Sequence, residues 1–413
     1  MKTLSSAPPY FKSALQASRR GAAQEAIELY SRAIEFDPDF AAAYYNRGRE
    51  YDTLGQLEKA IADYGRSLEI LPSADAYYNR GLAHRNLADF AAAIADYDRA
   101  IALDSMHARA WNNRGNALYL LGDFAAAIES YSACLSIDRG FAPAWYNRGC
   151  ACDELGRFDQ AIADYTCAIE HEPRCEAYYN RALVLRKINE HARAIDDFSA
   201  ALALNPAFVK AYNNRGNAYA DLQQRGSALQ DYCAALAVDP GYTDALYNRG
   251  LEYSAVRDDD RAVEDFTLVL HHNPEDALAL GARALIHLRL GRTQEALVDF
   301  SKALECAPDS ASLYYNRGLA YAEQGCLHEA IDDYTRCLGL EPHNAEAWNN
   351  RGAAYAARED YNQAICDFNR ALAIEPGHAD ALENRAAALR QRRCHFVHRK
   401  MRSGGAVREQ QDR

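Results

Sequence analysis

The sequence has 413 residues, of which 49% are hydrophobic and 25% charged, and its formal net charge is −12. This composition is typical of a soluble protein, and the negative charge disfavours nonspecific binding to nucleic acid or to anionic membranes. We expect no membrane-spanning helix, because no run of about 18 apolar residues occurs, and no signal peptide, because no apolar segment of the required length follows Met1–Ser6.

A short signature, usually Asn-Arg followed by Gly or Ala, recurs along most of the chain. Successive arginines of the signature are 34 residues apart, except for two steps of 33 residues. They are Arg47, Arg80, Arg114, Arg148, Arg181, Arg215, Arg249, Arg283, Arg317, Arg351 and Arg385. A fixed period in this range indicates a repeat array, which grows by stacking neighbours rather than by enlarging one core.

In chain order, a short N-terminal tail (1–6) precedes eleven complete repeats (7–378). The first residue of each repeat is position 1, so that the signature Asn and Arg are positions 6 and 7. The complete repeats begin at Ala7, Ala41, Ala74, Ala108, Ala142, Cys175, Val209, Thr243, Ala277, Ala311 and Ala345. A partial twelfth repeat (379–393) predicts a lone capping helix, and we expect the basic tail (394–413) to be disordered.

The residues shared by the repeats predict two helices each. Position 20 is Ala and position 24 is Tyr or Phe in all eleven, and position 32 is Pro in nine. Positions 4, 8 and 11 form one apolar helical face, and positions 17, 20, 24 and 27 form a second. Gly at position 15, as in Gly55, predicts the turn between the helices, and Pro at position 32 ends the second helix.

This 34-residue pattern of aromatic, Gly, Tyr, Gly, Ala, aromatic, Ala and Pro at positions 4, 8, 11, 15, 20, 24, 27 and 32 resembles the tetratricopeptide repeat (TPR) family. The resemblance covers residues 7 to about 392. It implies an all-α fold, a right-handed superhelical α-solenoid of stacked helix-turn-helix repeats. It also implies that the first helices line a concave groove, which typically holds an extended segment of a partner protein.

Position 7 departs from the family, which usually has Leu there. An arginine on a half-buried face needs a partner, and position 23 is Asp in nine repeats. We predict a ladder of Arg–Asp pairs between the helices, and the alternative is two independent surface charges. The predicted ladder includes Arg47, Arg80, Arg148, Arg181, Arg215, Asp63, Asp96, Asp164, Asp197 and Asp231. The fourth repeat breaks the pattern, with Arg114 but Ser130.

Position 6 carries the functional hypothesis, because packing within the hairpin does not explain its Asn. A column of amides can donate to and accept from an extended backbone, and the resemblance implies the same, since peptide-binding family members use Asn at this position. The alternative is that each Asn bonds to the next repeat's backbone. The column comprises Asn46, Asn79, Asn113, Asn147, Asn180, Asn214, Asn248, Asn316, Asn350 and Asn384.

Position 5 adds tyrosines beside this column, either as a recognition surface or as cover for the neighbouring helix. They are Tyr45, Tyr78, Tyr146, Tyr179, Tyr247 and Tyr315. Arg186, Lys187 and Lys210 follow a group of acidic residues, which favours a partner with both charges. Family co-chaperones clamp a C-terminal carboxylate with five residues, of which Asn180 and Lys210 match two. In the ninth repeat, Gly281 and Ala282 interrupt the column and predict an apolar step.

No catalytic motif occurs, the repeats use up the chain, and we expect no enzymatic activity, cofactor or metal. The 11 cysteines include no CxxC pair and predict small buried residues in a reducing compartment.

We expect a cytoplasmic scaffold or adaptor that binds other proteins through extended segments. The alternatives are a regulatory or substrate-recruiting subunit of a separate enzyme, such as a glycosyltransferase, and a co-chaperone. A basic segment near Arg390–Arg402 raises nuclear localisation as an alternative. The sequence does not name the partner or the oligomeric state.

Overall fold

The computed structural model describes residues 9–408, with side chains described over 9–394. The tail expected at residues 1–6 lies outside the described residues. Regular structure in the described range is entirely helical. The helices are α1 (Phe11–Arg19), α2 (Ala23–Phe36), α3 (Ala41–Thr53), α4 (Leu57–Ile70), α5 (Ala74–Asn86), α6 (Phe90–Leu103), α7 (Ala108–Leu120), α8 (Phe124–Ile137), α9 (Ala142–Glu154), α10 (Phe158–His171), α11 (Cys175–Lys187), α12 (His191–Leu204), α13 (Val209–Asp221), α14 (Arg225–Val238), α15 (Thr243–Ala255), α16 (Asp259–His272), α17 (Ala277–Arg289), α18 (Thr293–Cys306), α19 (Ala311–Glu323), α20 (Leu327–Leu340), α21 (Ala345–Ala357), α22 (Tyr361–Ile374) and α23 (Ala379–Arg408).

The helices alternate between two roles. We call the odd-numbered helices A helices and the even-numbered ones B helices. From α3 onwards each A helix begins at position 1 of a repeat, and each B helix ends two residues before position 32. Each complete repeat is therefore one A helix followed by one B helix, an all-α repeat solenoid.

The turn between the A and B helices is the same in every complete repeat, whatever residue occupies position 15. That residue is left-handed in all eleven, with φ of 70° at Gly55 but also 59° at Ala88 and 65° at Glu359. The backbone N–H of Gln56 donates to the carbonyl of Tyr51 at 2.8 Å and closes the helix end without a side chain. Glycine lowers the cost of this conformation, which is about 1–2 kcal/mol for other residues, but the turn does not require it.

The core of each repeat is an aromatic ring at position 24 packed against small residues. All eleven rings are at most 2% exposed. A Cβ added at Gly115 would lie 2.6 Å from Cε1 of Tyr131, so position 8 admits no larger side chain there without movement of the ring. The sixth repeat carries Ala182 at position 8 and Phe198 at position 24, and both are fully buried. Position 8 therefore sets how closely the A and B helices approach.

Contacts divide the chain into two units, Met1–Ala218 and Tyr219–Arg413, and the boundary lies within α13. Inside the first unit, α9 contacts α10 of its own repeat, α8 of the preceding repeat, and the A helices α7 and α11. Inside the second unit, α17 contacts α16, α18, α15 and α19 in the same way. Each of these two A helices therefore packs on its own repeat and on the repeats adjacent in sequence, as a repeat array requires.

Two expectations differ in the structure. We predicted that the capping helix ends near Arg393, but α23 continues to Arg408, over a stretch without proline; residues 409–413 lie outside the described range. The prediction that the cysteines are buried is wrong for most of them, because only Cys134, Cys152 and Cys337 are buried among the described side chains. Of the helices described, none is both long and apolar enough to cross a membrane.

Candidate functional site

One face of the A helices carries the candidate binding residues. Successive residues of a helix are about 100° apart around its axis, so positions 2, 5, 6, 9, 12 and 13 lie within about a third of the helix circumference. We call this surface the A-helix face. Asn147 and Tyr146 of α9 lie on it half-buried, as do Asn180 and Tyr179 of α11.

The position 6 amides on this face bond to the repeat that precedes them. Nδ2 of Asn180 donates to the phenol oxygen of Tyr146 at 2.8 Å, and Nδ2 of Asn79 donates to that of Tyr45 at 2.8 Å. The same bond joins Asn113 to Tyr78, Asn214 to Tyr179, and Asn350 to Tyr315. The partner is therefore a position 5 side chain of the preceding repeat. The alternative given for the column had instead predicted a hydrogen bond to the backbone of the next repeat.

Where position 5 is Asn, an amide replaces the phenol. Nδ2 of Asn147 donates to Oδ1 of Asn112 at 3.2 Å and to Oδ1 of Asn116 at 3.0 Å. Nδ2 of Asn384 donates to Oδ1 of Asn349 at 3.1 Å. Asn46 instead donates to the carbonyl of Ala42 in its own helix. Most of the amide N–H groups are thus used inside the stack.

The amide oxygens of Asn147 and Asn180 are not used in this way. Both amides donate within the first unit, but within the described part of the chain neither oxygen accepts a hydrogen bond. An amide oxygen can accept two hydrogen bonds. These two residues therefore present acceptors to whatever covers the face.

The position 5 tyrosines pack inward as well as bonding to the amides. The ring of Tyr146 lies 5.9 Å from that of Tyr165, and the ring of Tyr179 lies 5.7 Å from that of Phe198. Burial raises the pKa of the Tyr146 phenol above its usual value. Tyr45, Tyr78, Tyr247 and Tyr315 pack on position 24 in the same manner. The rings therefore cover their own B helix and also line the face.

An open cavity of about 580 Å³ occupies the A-helix face in the first unit. Three asparagine side chains, Asn147, Asn180 and Asn116, line it. Its remaining lining residues are Arg85, Tyr119, Leu120, Tyr131, Tyr146 and Cys150. The sequence analysis did not predict Arg85, Asn116, Tyr119, Leu120, Cys150 or Tyr131 as binding residues. Helical spacing from position 6 to positions 9, 12 and 13 was a signal that could have found all of them except Tyr131.

Cys150 forms part of the cavity wall. Its Sγ accepts a hydrogen bond from the Tyr165 hydroxyl at 3.4 Å and lies 3.8 Å from Nδ2 of Asn180. Burial is the main cause that raises the pKa of the Cys150 thiol, although these donors act in the opposite direction. The thiol therefore serves as a neutral acceptor at position 9, as Asn116 does for Tyr131 in the preceding repeat.

Two of the three predicted cations on this face are already engaged. Nζ of Lys187 lies 2.6 Å from Oδ1 of Asp153, and Nη1 of Arg186 donates to Oδ1 of Asn214 at 3.0 Å. Lys210 is exposed at position 2 of α13. The charge of Lys187 is thus balanced within the repeat stack.

The position 7 arginines reach the position 23 aspartates through paired hydrogen bonds. Nε and Nη2 of Arg148 donate to the two oxygens of Asp164 at 2.8 and 2.7 Å. The Asp164 side chain is 3% exposed and that of Arg148 is 15% exposed. The same paired geometry occurs in Arg47–Asp63, Arg80–Asp96, Arg181–Asp197, Arg249–Asp265, Arg283–Asp299, Arg317–Asp333 and Arg351–Asp367.

A third donor of most of these guanidinium groups reaches the preceding repeat; Arg80 is an exception, because Gly65 occupies the corresponding position there. Nη1 of Arg148 donates to the hydroxyl of Ser132, at position 25 of α8, at 2.9 Å. Arg47 reaches Ser31, and Arg215 reaches Ser199, in the same way; Asp231 is buried in α14 of the second unit. One arginine therefore joins its own A helix to two B helices, which suits the rigid fork of a guanidinium.

The fourth repeat carries this network with its two acceptors exchanged. Nε of Arg114 donates to Oδ1 of Asp98, at position 25 of the preceding repeat, at 2.6 Å, and Nη1 donates to the hydroxyl of Ser130 at 2.7 Å. For most of the other arginines the carboxylate is at position 23 and the hydroxyl at position 25, although Arg249 reaches the Cys233 thiol instead of a hydroxyl. Arg114 therefore keeps a carboxylate and a hydroxyl, from opposite helices.

Exchanging Asp98 and Ser130 tests this interpretation. We expect Asp98→Ser to lower the free energy of unfolding by about 1–2 kcal/mol, because Arg114 then has only hydroxyl acceptors. Ser130→Asp alone should also destabilise, since it places a carboxylate in a fully buried site while Arg114 is already paired with Asp98. The Asp98→Ser/Ser130→Asp double variant should recover most of the loss, as followed by urea denaturation. Additive single losses in the double variant would contradict the exchange.

Family models match most of the chain. Models described as "Tetratricopeptide repeat" match residues 78–140; residues 41–73, 142–175, 175–208, 311–344 and 345–378; and residues 209–242. A model described as "TPR repeat" matches residues 19–52 and 284–325. These matches together cover more than half of the 413 residues.

Solved structures of repeat proteins are also similar. YrrB, described as a TPR protein with an unusual peptide-binding site, is 24% identical, with 45% of this chain and 97% of that chain covered and a TM-score of 0.41. MamA (41-end) from Desulfovibrio magneticus RS-1 is 22% identical, with 41% and 97% covered and a TM-score of 0.40. Yeast Tom70 is 17% identical, with 98% of each chain covered and a TM-score of 0.41.

Proposed function

The chain belongs to the tetratricopeptide repeat family, and we propose that it binds an extended segment of another protein on the A-helix face of its first unit. Repeats of this family are typical of scaffolds for protein–protein interaction rather than of catalytic domains. The observation that carries the proposal is the open cavity of about 580 Å³ lined by Asn147 and Asn180. Its floor combines aromatic surface with amide oxygens that no described residue uses.

An extended peptide backbone complements this lining. Backbone N–H groups of the partner donate to the oxygens of Asn147 and Asn180, while the rings of Tyr119 and Tyr146 provide contact area for its side chains. Because amides recognise backbone rather than side chains, the face accepts segments of different sequence. The partner is therefore defined by an extended conformation more than by one residue.

The test separates binding by the amide from its role in the stack. A random peptide library displayed on phage is panned against the full chain, and the affinity of a selected peptide is measured by fluorescence polarisation. We expect Asn147→Ala/Asn180→Ala to weaken this peptide about 10-fold, since two neutral hydrogen bonds contribute roughly 0.5–1.5 kcal/mol each.

Tyr146→Phe is the matched control. It removes the phenol that accepts from Asn180 but leaves the Asn180 amide on the face, so it should lower stability while keeping the affinity within about 3-fold. If Tyr146→Phe and Asn180→Ala weaken the peptide equally, or if Asn180→Ala lowers only stability, then the amide serves the stack and the proposal is wrong. Asn362→Ala, on the exposed side of α22, should change neither.

A further inference from the structure

The ninth repeat interrupts the A-helix face of the second unit with leucines. Leu278 is 71% exposed, Leu285 is 46% exposed, and Leu251 in the neighbouring α15 is 41% exposed. With the half-buried Leu288 they form what we call the leucine patch. Positions 2 and 9 of α17 are seven residues apart, so Leu278 and Leu285 lie on the same side of that helix.

The interruption is built into the packing of two repeats. Gly281 stands where most repeats have Tyr or Asn at position 5, and a Cβ there would lie 3.0 Å from Cδ2 of Leu313. Position 3, which Leu313 occupies, is Ala in every other repeat from the second onwards. Leu313 therefore fills the space that Gly281 leaves. A change to glycine at position 281 alone, with Ala kept at position 313, would have left a gap between the two helices.

The hydrogen-bonded column has open ends on both sides of the patch. Ala282 replaces the amide that would donate to Tyr247, and Gly281 replaces the side chain that would accept from Asn316. Among the described residues, neither the Tyr247 hydroxyl nor the Asn316 amide has a hydrogen-bond partner. Both residues are half-buried. Both groups therefore remain available to an incoming segment.

On the A-helix face of α15, α17 and α19, the charged side chains that remain available are acidic. Asp244, at position 2 of α15, and Glu323, at position 13 of α19, are exposed and have no cationic partner among the described side chains. The nearest cation on α17, Arg289, is engaged by Asp259. Lysine or arginine on an incoming segment would complement these carboxylates.

We infer that the leucine patch is a second binding site, which takes an extended segment of another protein with an aliphatic side chain flanked by lysine or arginine. The aliphatic side chain packs on Leu278 and Leu285. The backbone bonds to Tyr247 and Asn316, and the basic side chains approach Asp244 and Glu323. This site lies wholly within the second unit and does not depend on the cavity proposed for the first.

The experiment pans the same phage library on the full chain and, in parallel, on Leu278→Ser/Leu285→Ser. Both leucines are exposed, so this variant should keep its helical circular dichroism and its melting temperature. We expect the wild-type chain to enrich a class of peptides with an aliphatic residue between basic ones. Members of that class should lose at least 10-fold in affinity on Leu278→Ser/Leu285→Ser and remain unchanged on Asn147→Ala/Asn180→Ala.

Two further measurements complete the test. Asp244→Asn/Glu323→Gln should weaken the class about 3- to 10-fold at low salt and flatten its salt dependence. The inference is overturned if the enriched peptides lack the aliphatic and basic pattern, or if the leucine variant binds them as well as the wild-type chain. It is also overturned if sedimentation shows a wild-type dimer that Leu278→Ser/Leu285→Ser converts to monomer, because the occupant is then a second copy.

Discussion

Asp164→Ala should lower the free energy of unfolding by about 3–5 kcal/mol, the usual cost of removing one partner of a buried ion pair. The Arg148 guanidinium would keep the Ser132 hydroxyl but lose both carboxylate oxygens, while its side chain stays only 15% exposed. Its stacking on the Trp145 ring, 4.8 Å from the centroid, would not replace them. Urea denaturation followed by circular dichroism measures the loss.

Glu172→Ala in the same repeat is the matched control. Its partner is Arg174, and both side chains are about half exposed or more, so the loss should be at most about 1 kcal/mol. Arg148→Leu/Asp164→Ala should cost less than the two single changes together, because no uncompensated charge remains. Zero coupling in this cycle would mean that the ladder is a set of independent charges.

Phe198→Ala should cost about 3–5 kcal/mol, because it empties a fully buried site. The ring packs among Ala182, Leu202 and Ala211, so the cavity would open between neighbouring repeats as well as within one. Because each repeat depends on its neighbours, the amides of α11 and α12 should lose hydrogen-exchange protection more than those of α21 and α22. Mass spectrometry of exchanged peptides measures this directly.

Phe36→Ala provides the comparison for Phe198→Ala. The Phe36 side chain is 67% exposed at the end of α2, and its removal should change stability by no more than about 0.5 kcal/mol. Equal losses in the two variants, or a loss of protection spread evenly over the chain, would contradict the local packing described here.

Much of the fold could be predicted from the sequence, because it follows from the spacing of residue types over short stretches of chain. Helical periodicity places positions 4, 8 and 11 on one face and positions 20 and 24 on another, and the repeat period places every A helix. The αL residue at position 15 shows the limit of reading residue types, since Ala88 and Glu359 adopt the same turn as Gly55. There the backbone hydrogen bonds of the helix end decide the conformation.

The candidate site was predictable only in part. The positions of Asn147 and Asn180 on a common face follow from their spacing, but the direction of their hydrogen bonds does not. Which side chain of the preceding repeat lies within reach depends on how the repeats stack, and periodicity carries no information about that offset. The contacts of these amides with Asn116 and Cys150 of the preceding repeats depend on the same offset.

From the sequence we could predict an all-α array of eleven complete repeats with a partial twelfth, and which positions within a repeat pack together. What joins one repeat to the next became visible only in the three-dimensional packing: the Asp98 carboxylate that accepts from Arg114, the phenols that accept from the amides, and Leu313, which fills the space beside Gly281. Contacts within a repeat follow from helical spacing over a short stretch of chain. Contacts between repeats depend on distances across an interface between helices, which no spacing along the chain encodes.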